Sequence, residues 1–208
     1  MTKRPRVAVL DYGIGNLRSA QKALEHVGAD AILTSSAVDA SAADAVVLPG
    51  VGAFGACMSA LRNVGLESVV HEVAASGVPF MGICVGMQML FSDSEEDPGA
   101  VGLGVIPGSV KWLPSNVQRP QMQWNQLAVV RDDSMFANLE PAPWMYFVHS
   151  LHGVPTDSHD VVATVQYGDT LNVAFRRNNV FAAQFHPEKS ASAGLKLLSN
   201  FVSIAGAS

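Results

Sequence analysis

Val78-Pro79-Phe80-Met81-Gly82-Ile83-Cys84-Val85-Gly86-Met87-Gln88-Met89-Leu90-Phe91 is the stretch on which the reading of this chain turns. Val78 to Met81 is an apolar run that predicts a buried strand continuing to Ile83, and Met87 to Phe91 predicts a helix. Between them, glycine stands two places before and two places after Cys84, the pattern of a nucleophile elbow. Such a turn is too sharp for side chains at the flanking positions. It lifts the central residue clear of the sheet and sets it at a helix N-terminus, where the dipole and free N–H groups favour a thiolate. A thiolate so placed can attack a carbonyl carbon, which points to acyl transfer. A cysteine inside a protein is more often a packing residue. The glycine frame argues against that for Cys84, whereas Cys57, inside an expected helix, keeps the packing reading.

Upstream of this stretch, strands and helices alternate. Strands are expected over Arg6–Leu10, Asp30–Thr34 and Ala45–Leu48. Helices are expected over Asn16–Val27, Ala56–Leu61 and Leu66–Ser76, the first from apolar residues at Leu17, Ala20, Leu24 and Val27. Short, near-continuous apolar strands alternating with helices predict a parallel sheet covered on both faces. Downstream the pattern changes. Gly104–Leu113, Asn125–Val130, Trp144–Val148, Val161–Tyr167 and Val173–Arg176 read as strands joined by turns. Arg177-Asn178-Asn179 reads as a hairpin turn into Val180–Phe185, and Ala191–Ile204 as a closing helix. The expected fold is α/β, a mainly parallel central sheet with added antiparallel strands on one side. No repeat or linker interrupts it, so one domain is expected over residues 1–208.

Composition narrows the function classes. The chain has 208 residues, 49% apolar and 15% charged, which suits a packed globule. Net charge is −5, with no basic cluster beyond Lys3-Arg4 and Arg176-Arg177, so nucleic acid is not an expected partner. No apolar run approaches the roughly 18 residues that span a bilayer, and Met1 to Arg6 leads into a patterned strand, without a signal peptide's apolar core. Two cysteines make no disulfide framework and no metal-ligand spacing is present, so no metal or cofactor is expected and the cytoplasm is the natural compartment. Gly13-Ile14-Gly15 imitates the start of a dinucleotide fingerprint, but Arg18 stands where its third glycine would be.

A nucleophilic thiol needs a base for the leaving amine and for the attacking water, and histidine suits both. His186 stands out among six histidines, because it ends the strand Val180–Phe185 and precedes Pro187-Glu188. In an open α/β sheet the carboxyl ends of strands build the site, so Cys84 and His186 are expected on one edge. Pro187 fixes its own φ and holds His186 extended, which lets Glu188 turn back onto the imidazole Nδ1. The order Cys84, His186, Glu188 is then nucleophile, base, orienter. Glu188 has a plainer reading as a first-turn acid of the last helix, and His149 is an alternative base with no carboxylate close by. The oxyanion has one donor in the Val85 N–H. The second is expected from the glycine-rich Pro49-Gly50-Val51-Gly52-Ala53-Phe54, as the N–H of Val51 or Gly52, in a segment able to flip a peptide and switch the donor on or off.

Together, Gly82-Ile83-Cys84-Val85-Gly86-Met87-Gln88, His186-Pro187-Glu188 and Pro49-Gly50-Val51-Gly52 resemble the class I (triad-type) glutamine amidotransferases. Asp11-Tyr12-Gly13-Ile14-Gly15-Asn16-Leu17, Met122-Gln123-Trp124-Asn125, Tyr146-Phe147-Val148-His149-Ser150 and Lys189-Ser190 extend the likeness almost end to end. The resemblance implies the family's three-layer α/β fold and a glutaminase working through a cysteinyl thioester. It further implies that Gly52, Gln88 and the backbone around His149-Ser150 hold glutamine. Ammonia would pass to a (β/α)₈-barrel cyclase in a heterodimer, which Asn16, Trp124 and Lys189 would face. The chain departs from the family's pattern at Gln121 and Gln123, where His and Gly are expected, and at Leu151-His152, where aromatic residues are more usual. On the residues alone, Trp124 and Tyr146 are equally core or partner surface, and Lys189 equally an ordinary solvated charge. A non-catalytic binding module that senses redox state through Cys84 also stays open.

Overall fold

The computed structural model describes residues 4–207; Lys3 of the Lys3-Arg4 pair lies outside them. Eight strands form the main sheet, in the spatial order Asp30–Thr34, Arg6–Leu10, Ala45–Gly50, Phe80–Cys84, Val180–Ala183, Asp169–Arg177, Val161–Tyr167 and Ala128–Val129. The first five are parallel to their neighbours and the last three antiparallel. Every residue of Ala45–Gly50, Phe80–Cys84 and Val180–Ala183 is buried, because helices cover both faces of the parallel half. The chain runs outward from Arg6–Leu10 to Asp30–Thr34 and then back across to Ala45–Gly50. Right-handed crossovers therefore send Leu17–His26 to one face and Ala37–Ser41 and Glu67–Ser76 to the other. Leu17–His26 packs beside the closing helix Ala191–Ala205, and Ala37–Ser41 beside Glu67–Ser76.

This is the expected mainly parallel sheet with antiparallel strands added at one side. Several local readings need correction. The helix Ala37–Ser41 was not expected: it is too short for a helical period to register, and the Ser36 hydroxyl caps it by accepting from the Asp39 N–H at 3.2 Å. Of Gly104–Leu113 only Gly108–Trp112 is strand. The expected strand Asn125–Val130 is two pieces, Gln121–Gln126 and Ala128–Val129, which join different sheets. The polar run at Gln121 hid the first piece, in which Gln121 alone is buried. Leu151–Pro155 is a further strand, paired with Gly108–Trp112, and it includes His152.

Gln121–Gln126 and Trp144–His149 form a two-stranded antiparallel ribbon. Its inner face carries Gln121, Met145, Phe147 and His149, all buried. The pairs Met122–Val148, Trp124–Tyr146 and Gln126–Trp144 share the opposite face, where Met122, Trp124 and Trp144 are exposed. Among the described residues no helix is long and apolar enough to cross a membrane.

Candidate active site

Cys84 is the last residue of the strand Phe80–Cys84 and the helix Val85–Met89 begins directly after it. Its backbone lies at φ 55°, ψ −116°, a conformation that L residues avoid and that functional turns hold under strain. The flanking glycines are a packing necessity. A Cβ on Gly86 would lie 1.9 Å from the Leu48 carbonyl oxygen, and one on Gly82 would lie 2.8 Å from Leu90 Cδ1 and 3.0 Å from Met87 Cα. The helix starts two residues earlier than Met87–Phe91 and is only five residues long. Few aligned peptides then add to a dipole, and the local Val85 N–H becomes the more important feature.

His186 follows the strand Val180–Ala183 at φ −100°, ψ 96°, the extended conformation that a following proline favours. Its Nδ1 lies 2.8 Å from Glu188 Oε1, both side chains being only 3% exposed. Burial alone would lower the imidazole pKa; the Cys84 sulfur and then the Glu188 carboxylate outweigh it and raise the value to about 9. Three bonds fix the backbone here. The His186 N–H donates to the Tyr146 carbonyl at 3.0 Å, the Tyr146 N–H donates to Ser190 Oγ at 2.9 Å, and the Ser190 hydroxyl donates to the His186 carbonyl at 2.6 Å. The ribbon and the His186 loop are thus one hydrogen-bonded unit.

Cys84 and His186 line one cavity of about 260 Å³ together with Val51, Gly52, Val85, Gln88, Glu96, His149 and Ser150. That is smaller than the sites of drug-sized ligands and suits a small metabolite. A larger recess of about 540 Å³ over Asp132–Pro141 holds neither cysteine nor histidine. Gly52 has φ +98°, the positive value expected in the glycine-rich segment. From beneath, the Tyr12 hydroxyl donates to the Pro49 carbonyl at 2.7 Å and the Cys57 thiol donates to the Val51 carbonyl at 3.3 Å. Burial, first, raises the pKa of both groups, which keeps them protonated donors. Cys57 is buried as its packing reading requires, and it also ties down the segment beside the cavity.

His149 is not free to act as a base. Its Nδ1 lies 2.7 Å from the Leu151 carbonyl and its Nε2 lies 2.9 Å from the Gln121 carboxamide. Burial lowers its pKa to about 4, so the ring is neutral, donates from Nδ1 and accepts at Nε2. Gln121 then presents its NH₂ to the ring, which also gives that otherwise unpartnered buried nitrogen a bond. Three expected residues lie off the cavity. Asn16 lines a small cleft behind it with Glu188, His186 and Val51. Trp124 is 43% exposed on the ribbon, its ring 6.0 Å from that of Tyr146, and Lys189 is exposed.

Sequence reasoning missed Glu96, Tyr12 and Gln184. Glu96 sits in an acidic run that reads as a solvated loop, yet its carboxylate lines the cavity and accepts from the Phe54 N–H at 2.7 Å. Tyr12 gave no signal of its own. Gln184, two residues before His186, is fully buried and reaches the Cys84 sulfur at 3.7 Å; a polar residue closing an apolar strand was the available clue.

Comparison with known proteins gives the family. The family model described as "Glutamine amidotransferase class-I" matches residues 8–205. Among curated relatives, the "Imidazole glycerol phosphate synthase subunit HisH" of Synechococcus elongatus is 48% identical, covering 97% of this chain and 94% of the relative. The protein of the same name from Methanothermobacter thermautotrophicus is 46% identical, covering 95% and 98%, and that from Salinibacter ruber is 45% identical, covering 94% and 93%. Among solved structures, a glutamine amidotransferase superposes with a TM-score of 0.76 at 24% identity, covering 96% of this chain and 98% of that one. PurLQS from Thermotoga maritima superposes at 0.77 with 23% identity, covering 97% and 99%; at these identities the likeness concerns the fold.

Proposed function

This chain belongs to the class-I glutamine amidotransferases, and from that premise we propose that it is the glutaminase subunit of imidazole glycerol phosphate synthase, with Cys84, His186 and Glu188 as its catalytic triad. The Cys84 sulfur attacks the side-chain amide carbon of glutamine. His186 delivers a proton to the departing nitrogen, and ammonia leaves a γ-glutamyl thioester on Cys84. His186 then takes a proton from water, which cleaves the thioester to glutamate and restores the thiol. Glu188 holds the imidazole by Nδ1 throughout. The negative charge on the carbonyl oxygen is met by the Val85 N–H and by Val51 or Gly52, and losing one such donor costs ~2.7–4 kcal/mol. Gly52, Gln88 and the His149-Ser150 backbone hold the substrate, and the Glu96 carboxylate offers a countercharge for its α-ammonium.

The observation that carries this reading is the 2.8 Å His186–Glu188 contact, with His186 on the same cavity as a cysteine held at φ 55°. The strained backbone at Cys84 costs stability, and catalysis is its physical rationale. The family match over residues 8–205 supports one glutaminase domain over residues 1–208, and the relatives' designation as a synthase subunit supports a partner; in this reading the chain works in the cytoplasm as a heterodimer with the (β/α)₈-barrel cyclase HisF. That cyclase uses the ammonia to make imidazole glycerol phosphate and aminoimidazole carboxamide ribotide in histidine biosynthesis. The exposed Met122–Trp124–Trp144 face is an apolar patch of the kind that marks a partner site; Trp124 on that face, with Asn16 and Lys189 outside it, are the chain's proposed contacts with the barrel.

The test is glutamate release from glutamine, with and without the cyclase and its nucleotide ligand. Turnover should be slow alone and strongly stimulated in the complex. Cys84→Ala should lower it by about a thousandfold or more while still forming the complex, and a diazo-ketone glutamine analogue should label Cys84. Full turnover by Cys84→Ala would remove the nucleophile from the mechanism.

A further inference from the structure

We propose that Gln184 is a positioning residue for the reaction at Cys84: its side-chain NH₂ holds the sulfur, and its side-chain carbonyl holds Gln88 with Oε1 turned toward the ligand cavity. Gln184 is fully buried and Gln88 is 3% exposed. Gln88 Nε2 lies 3.5 Å from the Leu151 carbonyl and 3.1 Å from Gln184 Oε1, and Gln184 Nε2 lies 3.7 Å from Cys84 Sγ. Apart from the cavity that Gln88 and Cys84 line, this chain of contacts is buried, so each amide must find its partners inside.

The direction of the chain follows from its two ends. A backbone carbonyl can only accept, so the Gln88 atom facing Leu151 is the nitrogen. The same nitrogen faces Gln184, so the Gln184 atom opposite it is the oxygen, and the atom left to face the sulfur is the nitrogen. The reverse order would set Gln88 Oε1 against the Leu151 oxygen, a repulsive contact in a buried site, and Gln184 Oε1 against the sulfur, which is repulsive once that sulfur is a thiolate. The Leu151 carbonyl also accepts from His149 Nδ1 at 2.7 Å, so both its lone pairs are engaged and it holds its place in the row.

Two consequences follow. A donor aimed at sulfur makes a stronger hydrogen bond to the charged nucleophile than to a neutral thiol. Gln88, with its NH₂ committed to two carbonyls, presents an acceptor to the cavity it lines, which suits an amide or ammonium donor on the ligand. Gln184 is not among the residues lining the cavity; it acts through Cys84 and Gln88.

The inference rests on Cys84 being the nucleophile, and the experiment separates the two claims. The full-length protein is alkylated with iodoacetamide across pH 6–10, and peptide mass mapping distinguishes Cys84 from Cys57. Gln184→Met keeps the length of the side chain and removes the donor; it should slow alkylation of Cys84 at pH 7 by about tenfold, one unit's displacement of the pH–rate curve, and raise the KM for glutamine. Gln184→Glu, nearly identical in shape, replaces the donor with an acceptor and should slow it further; it carries the test should the methionine variant not fold. A purely structural role would lower stability and leave the pH–rate curve in place. Curves within about twofold of wild type for a folded Gln184 variant overturn the Gln184 assignment alone. Retention of glutaminase activity by Cys84→Ala overturns the nucleophile assignment instead.

Discussion

Cys84 carries its strain in the backbone, and the strain can be measured. A non-glycine residue at φ 55°, ψ −116° costs about 1–3 kcal/mol. Glycine would relieve that cost, whereas alanine keeps the Cβ that causes it. Both remove the sulfur, so both should be inactive, but Cys84→Gly should unfold at higher urea than Cys84→Ala, by about 1 kcal/mol after allowance for the entropy of glycine in the unfolded chain. Equal midpoints would mean that the elbow is relaxed. The sequence marked this residue because its neighbours are glycines. For Gln184 it offered only a polar residue closing an apolar strand, since a contact between residues 100 positions apart leaves no trace in local pattern.

At the scale of elements, the elbow is a place where two backbones touch. The turn after Phe80–Cys84 presses on the end of Ala45–Gly50, which is why a Cβ on Gly86 would lie 1.9 Å from Leu48 O. Backbone cannot step aside as a side chain can, so Gly86→Ala should cost about 2–4 kcal/mol. Gly99→Ala is the control: that glycine is exposed, and the nearest atom to an added Cβ is Asp97 Oδ1 at 4.0 Å, so its effect should stay within about 0.5 kcal/mol. Urea midpoints with unchanged m-values would check both. The ribbon makes the complementary point. Gln121–Gln126 was half hidden from pattern reading because Gln121 is polar yet fully buried. What holds it inside is His149 across the ribbon, a partner 28 residues away.

For the whole molecule, two buried histidines set opposite limits on stability with pH. His186 is raised to about 9 in the folded protein; its stabilisation is fully present below the unfolded value near 6.5 and is lost as pH rises through about 9. His149 is lowered to about 4; folding favours its neutral form, so that contribution is present above about 6.5 and is lost as pH falls through about 4. Each limb is worth on the order of 3 kcal/mol, and stability should peak near pH 6.5. A melting-temperature profile checks this. Glu188→Gln removes one of the two groups that raise His186 and should flatten the alkaline limb while leaving the acid limb in place. An unchanged alkaline limb would count against the His186–Glu188 coupling.

The sequence by itself determined what local chemistry can write. Runs of apolar residues bounded by glycine gave the parallel sheet, because buried strands need continuous apolar side chains. The glycine frame gave the bend at Cys84, and proline after His186 gave an extended backbone with a carboxylate two residues on. Only the tertiary structure decided which polar groups are buried and what satisfies them: Gln184 on the sulfur, Tyr12 and Cys57 under the oxyanion segment, Glu96 on the cavity, and His149 committed to structure. The reason is that a buried polar atom is stable only through a partner, and in this fold those partners come from distant parts of the chain.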